Sequence, residues 1–379
     1  MSRRCFQRHF TKISKEMSDL ISTLQLIRSE NIGPRTFYML VNKYGSPQNA
    51  LAALPEIAAK GGKRQIKICP RDVAEKELNK TAKAKIKMLI YSDLAYPNLL
   101  TETYDAPPIL FYKGNAELLR KEIIGMVGTR NSSAGGCAMA RKLAIELGEA
   151  GVVVASGLAR GIDAEAHKAS LQSGTIAVVA GGLDTVYPAE NEKLFKQIEE
   201  QGLLLGENPI GTSPQSRHFP QRNRIIAGIA LGVVVVEAAK KSGSMITADY
   251  ALREGREVFA VPGNPLDPRY SGTNYLLKNG AVLVENAEDV LQNMGAPKPG
   301  KLFEIHNDYE SELTEAELPE IEDARGDIVG KLGLTPIGVD EIAQQTELPV
   351  SLVNEVLLEL EIAGKIDRIW GNKITLKAA

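Results

Sequence analysis

The chain has 379 residues, enough for two or three domains with a large core, and 44% of the residues are hydrophobic and 24% charged, as in globular proteins. The formal net charge is only −2, which excludes a chain that is basic throughout, so any nucleic-acid site must be a local patch. The three cysteines are scattered without a zinc-like spacing, and no apolar run approaches the roughly 20 residues that span a bilayer. We therefore expect a protein of the reducing cytoplasm with no structural disulfide and no metal site.

The N-terminal quarter predicts an extension followed by a helical domain. Residues 1–18 are basic and could pass for a transit peptide, but we favour a disordered or mis-assigned start, with the fold beginning near Met17–Asp19. Residues 19–90 predict helices interrupted at Gly33-Pro34 and at Tyr44–Pro47. The run IRSENIGPRTFYMLVNKYGS resembles a helix-hairpin-helix or SAM-like module, which can hold a DNA phosphate at its glycine turn; a helical domain that contacts another protein is the equal alternative.

The same domain ends in a basic segment. Residues 60–87 contain ten Lys or Arg and three acidic residues. A charge run of this kind is usually a solvated face, and here it is also a candidate for non-specific attraction to a nucleic-acid backbone.

Residues 91–294 predict the main domain, because apolar strands alternate with helical patterns along it. Several strands are continuous apolar runs, which are typical of parallel strands buried on both faces. The expected strands are Ile109–Tyr112, Ile123–Val127, Val152–Ala155, Ile176–Ala180, Leu203–Gly206, Val233–Val236, Val258–Val261 and Ala281–Val284. This alternation predicts an extended Rossmann-like, doubly wound and mostly parallel α/β sheet.

The C-terminal part predicts a linker and a second small domain. Residues 295–323 hold nine acidic residues and no Lys or Arg between Glu304 and Asp323, which indicates a mobile linker. Residues 324–379 predict a winged helix, with a helix-turn-helix pair over Gly338–Ala363 and a two-stranded wing over Ile366–Leu376. The expected recognition helix, Val350–Ala363, carries three glutamates and no Lys or Arg, so a protein contact is favoured over DNA-groove binding.

The stretch Ile123–Ser133, IIGMVGTRNSS, predicts a strand, a tight turn and the start of a helix. Outward N–H groups at Gly128 and Thr129, the helix N-terminus near Ser132, and the side chain of Arg130 together indicate a seat for an anion, most simply phosphate. The bland alternative is an ordinary turn with a solvated arginine. The stretch is neither GxGxxG nor GxxxxGK[ST], so it gives no support for a dinucleotide cofactor or for ATP hydrolysis, and we expect no cofactor.

Further loops follow the other strands and add cations to the same predicted edge. SGLARGID supplies Gly157, Arg160 and Gly161; RHFPQRNRIIAG supplies Phe219, Arg222, Asn223 and Arg224; AAKKSGSMITADYA supplies Lys240, Lys241 and a helix N-cap at Ser244. Cations interleaved with an aromatic ring suit a single-stranded nucleic acid, whose backbone follows the cations while an unpaired base stacks on the ring. With the loops GGLDTVYP (181–188), PGNP (262–265) and SGTN (271–274), six glycine-containing turns follow the strands on one edge, which favours an extended polyanion groove over a small nucleotide site.

Catalysis has weaker support in the sequence. Asp163 and His167 lie four residues apart on a predicted helix near Ser156, but the GxSxG elbow of serine hydrolases is absent, and we interpret His167 as a structural histidine. Glu237 ends an apolar strand and is a candidate to orient an arginine or to act as an acid or base in a nucleotide hydrolase. We favour the orienting role, because no second carboxylate is clearly placed to assist.

At these loops the sequence resembles the DNA-processing protein A family (DprA, also called Smf). The resemblance covers residues 100–294 and is carried by ordered motifs: VGTRNSS (127–133), SGLARGIDAEAHKASL (156–171), GGLDTVYPAEN (181–191), FPQRNRIIAG (219–228), GSMITADYALREGREVFAVPG (243–263) and SGTNYLLKNGA (271–281). The flanking helical and winged-helix domains match the three-part architecture of the family.

The resemblance implies a cytoplasmic bacterial protein that binds incoming single-stranded DNA during natural transformation, protects it and loads the RecA recombinase onto it, without an enzymatic step. It also implies a homodimer through the Rossmann-like domain, and we expect the pairing near Ala281–Leu291. The expected DNA-binding residues are Gly128, Thr129, Arg130, Ser132, Gly157, Arg160, Gly161, Phe219, Arg222, Asn223, Arg224, Lys240, Lys241 and Ser244.

A second resemblance provides the alternative function. The fold looks related to the lysine-decarboxylase-like nucleotide phosphoribohydrolases, which carry PGGxGTxxE at a strand-to-helix turn. The corresponding place here reads KKSGSMITAD, without the catalytic glutamate, and this departure weakens the hydrolase interpretation.

Overall fold

A computed structural model describes residues 19–62, 65–295, 321–369 and 372–377. They form two compact units: one combines the N-terminal residues up to Ala74 with the C-terminal residues, and the other runs from Glu75 to Pro297. We call them the terminal unit and the Rossmann-like unit. The predictions for residues 1–18 and for most of the acidic segment 295–323 lie outside the described residues. No helix among the described residues is both long enough and apolar enough to cross a membrane.

The N-terminal part of the terminal unit is helical, as predicted. Residues 19–27 form α1, followed by α2 (Pro34–Tyr44) and α3 (Pro47–Lys60). Both α2 and α3 begin on a proline, which fixes the backbone angle of the first turn and needs no hydrogen-bond partner there. Gly45 ends α2 in the left-handed conformation, with φ of 78°.

The C-terminal part of the terminal unit is a winged helix, which confirms the prediction. Its elements are α13 (Ile321–Lys331), β10 (Ile337–Gly338), α14 (Val339–Thr346), α15 (Val350–Ile362), β11 (Ile366–Ile369) and β12 (Lys373–Leu376). The strands pair antiparallel in the order β10-β12-β11, and the short β10 was not predicted. Apolar residues of the three helices, such as Ile328, Ile342 and Val356, pack over this sheet.

Within the described residues the Rossmann-like unit contains a nine-stranded sheet. Its strands are β1 (Lys87–Ile90), β2 (Ile109–Gly114), β3 (Ile123–Val127), β4 (Val153–Ser156), β5 (Thr175–Val178), β6 (Leu203–Gly206), β7 (Gly232–Val235), β8 (Glu257–Ala260) and β9 (Val282–Leu283). Its helices are α4 (Arg71–Lys83, which crosses the unit boundary), α5 (Asn98–Thr101), α6 (Ala134–Glu149), α7 (Ile162–Ser170), α8 (Glu192–Gln201), α9 (His218–Ile229), α10 (Gly243–Arg253), α11 (Ser271–Lys278) and α12 (Ala287–Leu291).

The strand order is β1-β2-β6-β5-β4-β3-β7-β8-β9, parallel from β6 to β9 and antiparallel at β1 and β2. The doubly wound sheet is therefore confirmed, and the antiparallel edge strand β1 was not predicted. Strand β3 lies between β4 and β7, so the strand order runs to one side of β3 for β4 to β6 and to the other side for β7 to β9. Such a reversal of strand order leaves a crevice at the carboxyl ends of these strands. One face of the sheet is closed by α6, α7 and α12, whose buried side chains join those of β3, β7 and β8 in one cluster.

Candidate nucleic-acid interface

Two adjoining cavities lie at the carboxyl ends of the central strands, one of about 410 Å³ and the other of about 620 Å³. They share five lining residues: Arg130, Ala159, Tyr187, Phe219 and Arg222. The loops after β3, β4 and β5 and the start of α9 therefore converge in space, as the topology of a parallel sheet requires.

The exposed rim of these cavities, here called the mouth, combines two aromatic rings and two arginines. The Arg130 guanidinium lies 5.3 Å from the centre of the Phe219 ring, and the Phe219 and Tyr187 rings are 5.5 Å apart at an angle of 54°. Tyr187 is 46% exposed, so one end of this aromatic pair faces solvent. A cation stacked on an aromatic pair offers both a phosphate ligand and a stacking surface for a base.

Arg160 completes the mouth on its other side. It is exposed and lies 3.5 Å from the carboxylate of Glu190, which also lines the smaller cavity. An exposed ion pair of this length contributes little to stability, so a phosphate can compete for the arginine at small cost.

The buried base of the cavities, here called the floor, is built around Arg222. This side chain is only 5% exposed and donates to the backbone carbonyls of Gly157 and Val178. Its Nε donates to the Asn223 side chain at 3.1 Å. Burial lowers the Arg222 pKa to about 10, against the opposing effect of the nearby Asp163 carboxylate. Arg222 therefore links the loops after β4 and β5 to α9. It lines both cavities, so its positive charge lies at their buried end.

Asp163 and His167 belong to the same floor but do not form a catalytic pair in the structure. The Asp163 carboxylate accepts the backbone N–H groups of Gly157 (3.2 Å) and Ala159 (3.3 Å), and burial raises its pKa. The His167 ring is fully buried, with Nδ1 2.7 Å from the Thr175 hydroxyl. Burial and the Arg222 charge lower the His167 pKa to about 3, so the ring is neutral at pH 7.

Ser156, the candidate nucleophile, is also fully buried, and its hydroxyl donates to the Met126 carbonyl at 2.6 Å. The full burial of His167 supports its interpretation as a structural histidine.

Arg224 lies away from the cavities, although the sequence groups it with Arg222. It is 7% exposed, and it donates to the Glu207 carboxylate and to the Asp105 carbonyl. The segment that the sequence presents as a binding loop is mostly helix α9, and the helix directs both arginines inward. Arg224 therefore serves a buried ion pair, and its DNA contact is not favoured by this position.

The glycines of the loop after β4 bring protein groups together. A Cβ at Gly157 would lie 2.3 Å from the Arg222 guanidinium, and a Cβ at Gly161 would lie 2.4 Å from the Thr129 carbonyl oxygen. Gly161 also has φ of 75°, which side-chain-bearing residues rarely adopt. We expected these glycines to let a phosphate approach the backbone closely. In the structure the groups that approach them are Arg222 and Thr129 of the chain itself, although Gly157 also lines the smaller cavity.

The helix N-terminus expected to hold a phosphate already has an anion. Glu237 is fully buried, and its carboxylate accepts the Ser133 backbone N–H at 2.9 Å and the Ser133 hydroxyl. Ser133 in turn caps α6 by accepting the Gly136 N–H. The sequence suggested that Glu237 orients an arginine. In the structure it instead orients the backbone of the loop after β3. The anion seat of this loop is reduced to its outer part, Gly128 to Arg130.

The remaining predicted residues divide between the cavity wall and the surrounding surface. Asn223 and Ser244 line the larger cavity, and Asn223 donates to the Gly243 carbonyl at 3.2 Å. The N-cap of α10 is Ser242, not Ser244. Lys240 and Lys241 are exposed, with Lys240 5.4 Å from the centre of the Tyr275 ring. Neither lysine, nor Ser132, lines the two cavities as they are formed by the described residues.

Two functional features were missed or undervalued from the sequence. The predicted binding residues do not include Tyr187, and the sequence pattern offered Asp163 only for catalysis. A tyrosine before a proline in a glycine-rich strand-end loop was the available signal for the first. The pairing of Asp163 with Arg222 spans 59 positions and left no local signal.

The fold and the site together define a class: a Rossmann-like domain with a basic and aromatic crevice at its strand ends, accompanied by a helical hairpin domain and a winged helix. The chain belongs to the DNA recombination-mediator protein A (DprA) family, whose sequence profile matches residues 87–295. Two further profiles match its flanks, the DprA-like N-terminal HHH domain at residues 17–79 and the DprA winged helix domain at residues 312–372.

Similar proteins support the assignment. The chain is 48% identical over 201 residues to the DNA processing protein DprA of Streptococcus pneumoniae, covering 52% of this chain and 71% of the relative. It is 38% identical over 295 residues to protein Smf of Escherichia coli, covering 75% and 76%.

Two solved structures are similar in fold. The DprA structure from Streptococcus pneumoniae matches with a TM-score of 0.60 at 38% identity, covering 72% of this chain and 96% of that one. A DprA structure from Helicobacter pylori, described as showing a single-stranded DNA binding mode, matches with a TM-score of 0.51 at 29% identity, covering 55% and 94%.

Proposed function

We propose that this chain is a single-stranded DNA-binding recombination mediator that acts without a catalytic step. The observation that carries the proposal is the mouth, where Arg130 stacks on Phe219 beside the exposed ring of Tyr187. A single strand offers unpaired bases for such rings and phosphates for the arginines, whereas the bases of a duplex are stacked on each other. Family membership and the single-strand description of the Helicobacter pylori relative support the same function.

The test is a titration of labelled single-stranded and duplex DNA of equal length across a range of salt concentrations. We expect tighter binding of the single strand, an affinity that falls steeply with salt, and about a tenfold loss for Arg130→Ala on all sequences alike. Arg120→Ala is the matched control, because Arg120 is exposed, pairs only weakly with Glu117 and lines neither cavity among the described residues. Equal affinity for single strand and duplex would overturn the proposal.

The finer assignment is that the chain protects the strand and loads RecA recombinase onto it, in the cytoplasm of a transformable bacterium. The description of the family as recombination mediators supports it. The measurement is ATP hydrolysis by RecA on single strands coated with single-strand-binding protein, which we expect this chain to accelerate. An unchanged rate at saturating concentrations of the chain contradicts the assignment.

Dimerisation through the Rossmann-like unit is part of the same proposal. Strand β9 ends the sheet and leaves Leu283 48% exposed, and Tyr275 of the neighbouring α11 is 47% exposed. An apolar sheet edge of this kind invites pairing with a second copy. Light scattering at micromolar concentration tests it: we expect twice the chain mass, and the mass of one chain contradicts it.

The alternative, a nucleotide phosphoribohydrolase, is not favoured. It depends on Glu237, which is fully buried behind the loop after β3 and bonded to Ser133. The check is base release from nucleoside monophosphates by the purified protein. Release that is abolished by Glu237→Gln would restore the enzyme interpretation.

A further inference from the structure

Within the terminal unit, helix α15 of the winged helix lies against the N-terminal helices. The Lys43 ammonium is 2.5 Å from the Glu355 carboxylate, and the Thr36 hydroxyl donates to the Glu361 carboxylate at 3.0 Å. At the hairpin turn, the Asn31 side-chain amide donates to the Ile362 carbonyl at 3.0 Å. These contacts join residues more than 300 positions apart, so the N-terminal helices and the winged helix pack together within the terminal unit.

The packing under these polar contacts is close. A Cβ placed on Gly61, at the end of α3, would lie 2.1 Å from the Glu359 carbonyl oxygen and 2.7 Å from the Ala363 Cβ. An ordinary helix on a domain surface buries one apolar stripe. Helix α15 buries Val353 and Val356 in the winged-helix core, and it also buries Leu358 and Ile362. The helix is therefore covered on more sides than the winged helix alone requires.

The two surfaces are complementary in charge. Helix α15 carries Glu355, Glu359 and Glu361 and no Lys or Arg. Lys43 of the helical hairpin pairs with Glu355, and Arg35 of the hairpin is attracted by the Glu361 charge, whereas Glu359 pairs with Arg325 inside the winged helix. Arg35 donates to the Asn372 side chain at 2.9 Å, and burial together with the Arg368 charge lowers the Arg35 pKa to about 10. Glu361 lies 3.4 Å from Arg368 and offsets the two arginines, since buried charges are tolerated only when they are paired.

We propose that α15 is an acidic plug on the basic face of the N-terminal helical domain, so that the backbone phosphates of duplex DNA reach this face only when α15 leaves it. A winged helix reads DNA by placing its recognition helix in the major groove, and phosphates are bound by Lys and Arg. In this chain the recognition helix is acidic and covered, and the cations that suit phosphates lie on the domain that covers it. The inference concerns the terminal unit and does not depend on the single-strand site proposed above.

The contact itself is tested with a zero-length carbodiimide, which joins an amine to a carboxylate only where the two touch. Mass spectrometry of the treated full chain is expected to find a Lys43–Glu355 link. The Lys113–Glu199 pair, 2.7 Å apart in the Rossmann-like unit, is the internal control for the reaction. A Lys113–Glu199 link without a Lys43–Glu355 link would overturn the proposed plug.

The masking of the basic face is tested with a matched pair of glycine substitutions. Gly61→Ala inserts a methyl group against the backbone of α15, whereas Gly33→Ala, also in the helical domain, meets no atom within 4 Å. We expect Gly61→Ala to lose the Lys43–Glu355 link and to bind a 30-base-pair duplex at least about threefold more tightly at low salt, about 0.65 kcal/mol. Gly33→Ala should match the wild type in both measurements.

Circular dichroism and urea unfolding of the full chain serve as the folding control, because both glycines lie in the terminal unit and must be judged by the folding of that unit. Should Gly61→Ala fail this control, Thr36→Val replaces it, since it removes the hydroxyl that donates to Glu361 and leaves the charge of both surfaces unchanged, and the same rise in duplex affinity is expected. A folded variant that loses the Lys43–Glu355 contact and yet binds duplex no more tightly than the wild type overturns the masking.

Discussion

Arg130 and Arg222 both line the two cavities, but one lies at the mouth and the other at the floor. Arg130 is exposed and stacks on Phe219, whereas Arg222 is buried and donates to the carbonyls of Gly157 and Val178. The side chains have the same charge and the same donors, and only their surroundings decide what those donors contact. The mouth is therefore where a ligand is expected to bind, and the floor holds the mouth in shape.

The difference has an energetic consequence. An exposed arginine is well solvated, so its removal costs little stability and is felt mainly in binding. A buried arginine in an ion pair behaves in the opposite way, because its removal leaves a partner charge in a dry environment. The two regions should therefore separate in experiments that measure unfolding and binding on the same variants.

The largest expected effect is a loss in the free energy of unfolding when Arg224, on the buried side of α9, is replaced. Arg224→Ala removes the arginine that contacts Glu207 and the Asp105 carbonyl in a site where Arg224 is 7% exposed. Breaking a buried ion pair on one side costs about 3–5 kcal/mol, and we expect a loss of this size in urea unfolding at 25 °C.

Arg217→Ala is the matched control for this measurement. Arg217 is exposed at the start of the same helix, and its removal should change the free energy of unfolding by less than about 0.5 kcal/mol. If both variants lose the same small amount, the assignment of Arg224 to a buried ion pair is wrong.

The floor should impose a pH dependence on stability through His167. Its pKa in the folded protein is about 3, against about 6.5 in an unfolded chain, so between these values only the unfolded chain binds the proton. Stability due to His167 is therefore present above pH 6.5 and is lost as the pH falls, by about 2 kcal/mol between pH 7 and pH 5. Burial raises the Asp163 pKa, and this works in the opposite direction, because the folded protein then binds the proton more tightly.

His167→Asn isolates this contribution. Its amide can replace the ring nitrogen that meets Thr175, but it does not titrate. Urea unfolding of wild type and variant at pH 7 and pH 5 gives the difference, and the wild type should lose about 2 kcal/mol more than the variant. Parallel losses in the two proteins would show that His167 is protonated in the folded state.

Much of the fold was accessible from sequence because parallel strands buried on both faces appear as uninterrupted apolar runs. Ile123–Val127 and Leu203–Gly206 have the predicted bounds for this reason. The convergence of the loops also followed, since carboxyl ends of parallel strands share an edge. Strand β1 is also four residues long, but it lies at the sheet edge with a single buried residue, so it does not show the uninterrupted apolar run of a strand buried on both faces, and the two residues of β10 carry too little pattern.

The site was less accessible because exposure is decided by partners distant in sequence. Arg222 and Arg224 look like neighbours of Phe219 in one basic loop, but Asp163 and Glu207 draw them inward. Glu237 takes the helix N-terminus from a position 104 residues beyond Ser133. No local sequence pattern indicates such pairings. The charged and aromatic residues therefore predicted which edge of the sheet carries the site, but not which of them lie at its mouth and which at its floor.

At the mouth, Phe219 should matter for binding and little for stability. Phe219→Leu removes the ring between Arg130 and Tyr187, and the loss of stacking on one base is worth about 1–3 kcal/mol, so we expect about a tenfold fall in single-strand affinity by fluorescence anisotropy. Tyr112→Leu is the matched control: the Lys87 ammonium lies 6.0 Å from the centre of the Tyr112 ring in a similar cation–ring pair, and among the described residues neither side chain lines the two cavities. Similar losses in the two variants would mean that the cavities do not define the binding site.

The smallest expected effect concerns Lys240 and Lys241, which the sequence places among the DNA-binding residues. They are exposed, and among the described residues they line neither cavity. We therefore expect them to attract the phosphates of the strand by long-range electrostatics and not by direct contact. At physiological salt such attraction fades within about 8 Å. The double change Lys240→Ala and Lys241→Ala should therefore weaken single-strand binding about twofold to threefold at low salt, and the difference from wild type should vanish at high salt.

Arg130→Ala is the comparison variant. It should bind more weakly than wild type at every salt concentration, because it also loses the guanidinium that stacks on the Phe219 ring. A double lysine variant as weak as Arg130→Ala at high salt would extend the mouth along the loop after β7 and shift its boundary from the cavities to the helix α10.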